Sequence, residues 1–100
     1  MERVRGKRAL VTGAAQGLGA AAAQMLARHG AHVLLTDINE AGAQQVAESI
    51  NLEIGSEVAW GFQHDATSAE DWAAAIEQAR HRMNGLSVLV NNAGMVRTGS

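Results

Sequence analysis

The feature that most constrains the fold is a short apolar run that passes into a glycine-rich turn and then into an alanine-rich segment. The apolar run covers residues 9–11, and Gly13, Gly17 and Gly19 follow it. Glycine has no Cβ atom, so the backbone can turn sharply, approach a pyrophosphate and let a helix pack closely on the strand. The helix N-terminus then offers free N–H groups to an anion. This pattern predicts a strand, a phosphate-binding turn and a helix.

A second strand and an acidic residue follow at the distance that a dinucleotide site requires. Gly30 ends the predicted helix, residues 32–36 form an apolar strand, and Asp37 comes directly after it. In dinucleotide-binding folds, a carboxylate about 20 residues beyond the glycines accepts hydrogen bonds from the adenosine ribose. In the simpler interpretation the glycines form a flexible loop and Asp37 is a surface residue that starts a turn. The order of strand, turn, helix, strand and acid favours the dinucleotide site.

The rest of the chain continues the alternation of strands and helices. In the third strand, Val58, Trp60 and Phe62 fall on one side against smaller or polar neighbours, which is typical of a strand near a sheet edge. Four strands with three intervening helices predict an α/β fold of Rossmann type, a doubly wound parallel sheet in three layers, α/β/α. The expected later elements are a helix capped by Asn39 and ended by Gly55, a strand over residues 57–63, a helix capped by Thr67 or Ser68, and a strand over residues 86–90.

Composition limits the kinds of protein to which the chain can belong. Its 100 residues, 47% hydrophobic and 18% charged, suit one small globular domain. A formal net charge of −2 gives no basic surface for nucleic acid. The sequence has no cysteine, no apolar run long enough to span a membrane and no metal-ligand spacing among its four histidines. We therefore expect a cytoplasmic protein without a metal site, a nucleic-acid partner or a membrane partner.

Three ordered motifs resemble the N-terminal part of the short-chain dehydrogenase/reductase family. Residues 12–19 meet the family's Thr-Gly-x-x-x-Gly-x-Gly motif, and residues 91–94 meet its Asn-Asn-Ala-Gly motif. The family's adenine-contacting acid is matched by Asp65. Taken alone, residues 91–94 are also typical of a turn after a strand. The glycine spacing differs from that of methyltransferases and of extended dehydrogenases, and the sequence has no P-loop motif.

The resemblance implies a nicotinamide dinucleotide cofactor, and we expect NAD because the Asp37 carboxylate would repel a 2′-phosphate. In this family the first asparagine of the second motif ties neighbouring strands together, so Asn91 is given a structural role. The expected cofactor-binding residues are Gly13 and Gly19, which shape the turn; Gln16, Gly17 and Leu18 around the pyrophosphate; Asp37 and Ile38 at the ribose; Asp65 and Ala66 beside the adenine; and Asn92, Ala93 and Gly94 along the nicotinamide.

The resemblance also implies an oxidoreductase that interconverts a secondary alcohol and a ketone by hydride transfer. In the family a serine, a tyrosine and a lysine four residues after the tyrosine assist this transfer, whereas this chain has no tyrosine and Lys7 as its only lysine. We therefore expect residues 1–100 to be the NAD-binding Rossmann domain, with the catalytic part absent from the sequence and no catalytic residue within it.

The substrate is expected to be a small molecule, and the motifs are closest to those of bacterial hydroxysteroid and cyclic-alcohol dehydrogenases. The full-length protein is expected to be a homo-oligomer, either a tetramer or a dimer. The alternative hypothesis is a dinucleotide-binding module or fragment without catalysis.

Overall fold

The computed structural model describes residues 5–92, which form a four-stranded parallel sheet with helices on both faces. This arrangement confirms the predicted α/β fold of Rossmann type in three layers. The elements alternate along the chain as β1 (Arg8–Thr12), α1 (Gly17–Arg28), β2 (His32–Asp37), α2 (Glu40–Ile54), β3 (Ala59–Gln63), α3 (Ala69–Met83) and β4 (Val88–Asn91).

The strand order β3-β2-β1-β4 places β1 between two parallel neighbours. At their C-terminal ends, Thr12 pairs with Thr36 on one side and with Asn91 on the other. The chain moves outward from β1 to β3 and then returns to the opposite side of β1. In open α/β sheets such a reversal leaves a crevice beyond the carboxyl ends of the strands, and ligands bind there. The ends of β1 and β4 therefore mark the position of a candidate site.

Two apolar layers attach the helices to the sheet. Side chains alternate between faces along each strand, so Leu10 and Leu34 face α3 while Val11 and Leu35 face α1 and α2. Alanines on the inner face of each helix allow its backbone to lie close to these larger strand residues. The buried helix alanines are Ala23 and Ala27 of α1, Ala43 and Ala47 of α2, and Ala75 and Ala79 of α3.

β3 forms one edge of the sheet, as its alternating pattern predicts. The expectation that Val58 shares a side with Trp60 and Phe62 is wrong. Trp60 and Phe62 pack on the α3 face, whereas Val58 packs with Ala59 on the opposite face. The two-residue period applies only within the strand, which begins at Ala59. The backbone before it is held by Asn51, whose Oδ1 accepts hydrogen bonds from the Val58 and Ala59 N–H groups at 2.8 and 2.9 Å.

Side-chain caps start two of the helices at the predicted places. Asn39 Oδ1 accepts a hydrogen bond from the Gly42 N–H at 3.1 Å at the start of α2. Ser68 Oγ accepts one from the Asp71 N–H at 3.1 Å at the start of α3. Ser68 rather than Thr67 is therefore the cap of α3, and each cap satisfies a backbone donor that the helix leaves unpaired.

Gly61 allows α2 to lie directly on β3, and we expect Gly61→Val to be more destabilising than Gly55→Ala. A Cβ atom at Gly61 would lie 2.5 Å from the backbone nitrogen of Gln44, so the helix must shift. Gly55 ends α2 with a φ angle of +88°, and a Cβ atom at this position would have no other atom within 4 Å. Its substitution therefore adds only backbone strain. Urea unfolding should show a loss of about 3 kcal/mol for Gly61→Val and about 1 kcal/mol for Gly55→Ala. Equal losses would contradict the close approach.

Candidate nucleotide-binding site

The turn between β1 and α1 depends on two glycines for different reasons. Gly19 is buried in the first turn of α1, where a Cβ atom would lie 2.1 Å from the carbonyl oxygen of Gly13. Gly17 begins α1 at φ +61, and no atom lies within 4 Å of a Cβ built there. Gly19 therefore lets the helix rest on the turn, while Gly17 leaves open space at the helix N-terminus.

The start of α1 has no side-chain cap. Gln16 is the N-cap residue with an extended backbone, its side chain makes no capping hydrogen bond, and the first turn carries no acidic residue. Gln16 and Gly17 are exposed, and Leu18 is 74% exposed. The start of α1, with its positive end of the helix dipole, is therefore exposed and without a side-chain cap, and this arrangement suits an anion.

The Asp37 carboxylate at the end of β2 is held by backbone donors on two sides. Its Oδ2 accepts a hydrogen bond from the Ala15 N–H at 3.0 Å, and its Oδ1 accepts one from the Asn39 N–H at 2.9 Å. The Ala14 N–H also donates to the Thr36 carbonyl oxygen at 2.9 Å. A carboxylate has about four lone-pair positions, so these two bonds leave capacity to accept from ligand hydroxyls. Asp37 is thus tied to the glycine-rich turn, and no local sequence signal indicates this contact.

The end of β4 contacts both β1 and the turn through two asparagines. The Thr12 hydroxyl donates to Asn91 Oδ1 at 3.0 Å, so Asn91 ties the ends of β1 and β4 together, as expected. Asn92 Nδ2 donates to the Gly13 carbonyl oxygen at 3.2 Å. Asn92 therefore braces the glycine-rich turn. Ala93 and Gly94, the other two predicted residues of this motif, lie outside the described residues.

The loop between β3 and α3 holds Asp65 and Ala66 in place. The Thr67 hydroxyl and N–H both donate to Asp65 Oδ1, at 2.7 and 2.9 Å, and these bonds hold the pKa of the Asp65 carboxyl below its ordinary value. The Asp65 N–H donates to Asp71 Oδ2 at 2.8 Å. The Trp72 indole N–H donates to the Ala66 carbonyl oxygen at 2.8 Å. The loop therefore presents an ionised carboxylate in a fixed position at neutral pH.

His64 is a buried residue directly after β3. No sequence motif assigns it a role. Its side chain is 3% exposed, and its Nδ1 lies 2.9 Å from Thr36 Oγ1. The sequence signal that points to it is only its position, directly before Asp65. No group of three or more His, Cys, Asp or Glu side chains that could hold a metal ion occurs among residues 5–92. None of the three helices within that range is long and apolar enough to cross a membrane.

The predicted residues within the described part of the chain lie at the carboxyl ends of the strands. Hydrogen bonds connect the turn to Asp37 through Ala15 and to Asn92 through Gly13. The backbone N–H of His64, beside Asp65, donates to the Asp37 carbonyl oxygen at 3.0 Å. An uncapped helix start, a fixed carboxylate on the next strand and a held loop beyond it, all at the carboxyl ends of a parallel sheet, define a Rossmann-type nucleotide-binding fold.

The chain belongs to the short-chain dehydrogenase family, whose sequence model matches residues 7–100. It is 47% identical over 103 residues to trans-4-hydroxycyclohexanecarboxylate dehydrogenase of Sinomonas cyclohexanicum, an alignment that covers 99% of this chain and 40% of that protein. It is 42% identical over 97 residues to 3-beta-hydroxysteroid dehydrogenase of Comamonas testosteroni, covering 97% of this chain and 36% of that one. The chain thus spans about two fifths of the length of these curated relatives.

Solved structures of this family have the same fold. Hydroxysteroid dehydrogenase from Escherichia coli superposes with a TM-score of 0.82 at 33% identity, over 90% of this chain and 38% of that one. The 3-ketoacyl-(acyl-carrier-protein) reductase of Brucella melitensis, complexed with NADH, gives a TM-score of 0.79 at 34% identity, over 86% of this chain and 33% of that one.

Gly17→Ala and Gly19→Ala should separate ligand contact from turn packing. For Gly19→Ala we expect a loss of about 2 kcal/mol or more in the free energy of unfolding, because the new methyl group meets the Gly13 carbonyl. For Gly17→Ala we expect about 1 kcal/mol of backbone strain, together with at least roughly tenfold weaker binding of a nicotinamide dinucleotide at the obstructed helix start. Denaturation and calorimetric titration measure the two effects. Unchanged dinucleotide affinity in Gly17→Ala would rule out an anion at this turn.

Proposed function

We propose that this chain forms the cofactor-binding part of an NAD-dependent oxidoreductase that interconverts a secondary alcohol and a ketone. The observation that carries the proposal is the Asp37 carboxylate, which two backbone N–H groups hold at the end of β2 beside the uncapped start of α1. Membership of the short-chain dehydrogenase family supports the redox chemistry. The NADH complex of the Brucella melitensis reductase supports a nicotinamide cofactor.

The described residues of the crevice have the chemistry that the pyrophosphate and the adenosine ribose of a dinucleotide require. The open space around Gly17 admits a pyrophosphate, which takes hydrogen bonds from backbone N–H groups at the start of α1. Asp37 accepts hydrogen bonds from the adenosine ribose, and the exposed Ile38 lies beside it. The loop after β3 would hold the adenine, and the end of β4 would lie beside the nicotinamide, the part of the cofactor that would carry the hydride. The residues assigned to these four parts are Gly13, Gln16, Gly17, Leu18 and Gly19; Asp37 and Ile38; Asp65 and Ala66; and Asn92, Ala93 and Gly94.

Charge at the ribose end favours NAD over NADP. A 2′-phosphate carrying about −2 charge within a few ångströms of the Asp37 carboxylate costs roughly 1–4 kcal/mol, or roughly ten- to several-hundred-fold in affinity. The neighbouring exposed side chains of Gln16 and Ile38 are neutral, so neither offsets this repulsion.

The substrate is proposed to be a small secondary alcohol or ketone, and a ring-borne alcohol is the favoured class. The names of two relatives support this class: one is a dehydrogenase of a hydroxycyclohexanecarboxylate and the other of a 3-beta-hydroxysteroid. The proton-transferring groups are proposed to come from residues outside these 100, since the chain contains no tyrosine and Lys7 is its only lysine. The complete enzyme is proposed to act in the cytoplasm as a homo-oligomer.

Replacing Asp37 and Ile38 together should move cofactor preference from NAD towards NADP. Asp37→Ser removes the repulsion of the 2′-phosphate, and Ile38→Arg adds a guanidinium that can pair with it. The comparison is of kcat/KM with the two cofactors, in the parent protein and in the double variant. Ile38→Arg alone is the control, because it adds the charge and keeps the carboxylate. A parent protein that prefers NADP would show that Asp37 does not contact the ribose.

The 100-residue chain purified alone should show no dehydrogenase turnover. Hydride transfer to or from an alcohol needs a positioned proton donor or acceptor, and the chain offers neither a tyrosine nor a lysine near the crevice. The assay follows NADH absorbance with cyclic and steroid alcohols, and dinucleotide binding is measured in parallel. Turnover by the isolated chain would overturn the assignment of the catalytic groups. If the complete protein that the gene encodes binds the dinucleotide but shows no turnover, the alternative hypothesis of a dinucleotide-binding module without catalysis is favoured.

A further inference from the structure

His64 lies between Asp37, which is proposed to bind the ribose, and the loop of Asp65 and Ala66, which is proposed to hold the adenine. The proposed function gives His64 no role. It follows β3 directly and precedes Asp65, and it is almost fully buried while Asp65 is half-buried. Its backbone N–H donates to the Asp37 carbonyl oxygen, which extends the pairing of β2 and β3 beyond the last strand residue, Gln63. His64 therefore connects the strand end that carries Asp37 to the loop that carries Asp65.

The imidazole ring contacts both sides through its own atoms. Nδ1 lies 2.9 Å from Thr36 Oγ1, and Thr36 is fully buried and directly precedes Asp37. The ring packs edge to face against Trp72, with centroids 4.3 Å apart and planes at 87°. Trp72 in turn donates its indole N–H to the Ala66 carbonyl oxygen. A continuous series of contacts thus runs from the end of β2 through the imidazole to the loop after β3.

The surroundings of the ring favour its neutral form. Burial lowers the pKa of the His64 imidazole below its ordinary value of about 6.5, and the charges of Asp71 and Asp65 offset part of this shift. With the proton on Nδ1, the single N–H donates to Thr36 Oγ1, and Nε2 is only an acceptor. Nε2 is buried and has no hydrogen-bond partner among the described residues. Protonation would place a charge and a second N–H there without an acceptor, so the contacts favour the neutral ring.

We propose that His64 is a positioning residue for the adenosine half of the cofactor: its neutral ring holds the loop of Asp65 and Ala66 against the strand end that carries Asp37. The inference rests on the proposed function, because it requires a dinucleotide at this edge. His64 acts through the loop and takes no part in hydride transfer. Its loss should therefore weaken the binding of the adenosine half and leave the rate of the chemical step unchanged.

The test uses the complete protein that the gene encodes and measures its affinity for ADP-ribose. ADP-ribose contains the adenosine half of the cofactor and the pyrophosphate but no nicotinamide. His64→Leu removes the hydrogen bond, and His64→Asn places an amide near Nδ1 where it can still reach Thr36. His81→Asn is the matched control, since His81 is an exposed histidine on α3. By calorimetry at pH 7.5 we expect about tenfold weaker binding for His64→Leu, a smaller loss for His64→Asn and no change for His81→Asn.

Two further measurements distinguish positioning from a general loss of structure. Because burial lowers the pKa of His64, the parent protein should keep its ADP-ribose affinity at neutral pH and lose affinity only in acid, as the ring becomes protonated. In His64→Leu this pH-dependent step should be absent. The KM for NAD should rise about tenfold in His64→Leu, while kcat at saturating NAD stays within about twofold.

A double-mutant cycle then tests the contact itself. Thr36→Val removes the hydroxyl at nearly constant volume, so it should weaken ADP-ribose binding as His64→Leu does. The double variant should lose no more affinity than His64→Leu alone, because Thr36→Val breaks a bond that His64→Leu has already removed.

The possible outcomes separate this inference from the proposed function. If His64→Leu keeps both the ADP-ribose affinity and the pH profile of the parent protein, the positioning role is overturned and the proposed function stands. If His64→Leu does not fold by circular dichroism, Thr36→Val and the parent pH profile decide the question. Unchanged affinity in Thr36→Val together with pH-independent binding in the parent would then overturn it. If the parent protein binds neither ADP-ribose nor NAD, the proposed function fails and this inference fails with it.

Discussion

The position of every group in the crevice depends on the in-register pairing of β1 with both of its neighbours. β1 is buried from Ala9 to Thr12, and its last residue aligns with Thr36 of β2 and Asn91 of β4. Because all four strands are parallel, their carboxyl ends lie at one edge. Residues that are far apart in sequence therefore become neighbours. A shift of one residue in this register would turn each strand's buried face to the other side of the sheet.

Within residues 5–92, backbone donors and carboxylates form the crevice, and neither ion pair of this range lies in it. The Asp37 carboxylate is fixed by two backbone N–H groups, and the Asp65 carboxylate by a hydroxyl and a backbone N–H. The salt bridge between Arg28 and Glu53 lies on the exposed surface, where such pairs contribute little to stability. At the start of α1, the helix itself offers partial positive charge to an anionic ligand.

Hydrogen bonds connect the glycine-rich turn to the strand ends on both sides of it. Ala15 of the turn donates to Asp37, and Asn92 beyond β4 donates to Gly13 of the same turn. The carbonyl oxygen of Gly13 is also the nearest atom to the position that a Cβ atom at Gly19 would take. A change at any of these positions is therefore transmitted to the turn. These hydrogen bonds hold the turn against the ends of β2 and β4.

Local sequence alone determined much of this protein. The glycines at 13, 17 and 19, the cap at Asn39 and the alternating pattern of β3 predicted the turn, the start of α2 and the edge strand, because each depends on residues a few positions apart. The tertiary structure decided the contacts of Asp37 with Ala15, of Asn92 with Gly13 and of His64 with Thr36. These pairs are separated by 22, 79 and 28 residues. They form only because the strand order brings those strand ends together, and no local period in the sequence encodes that order.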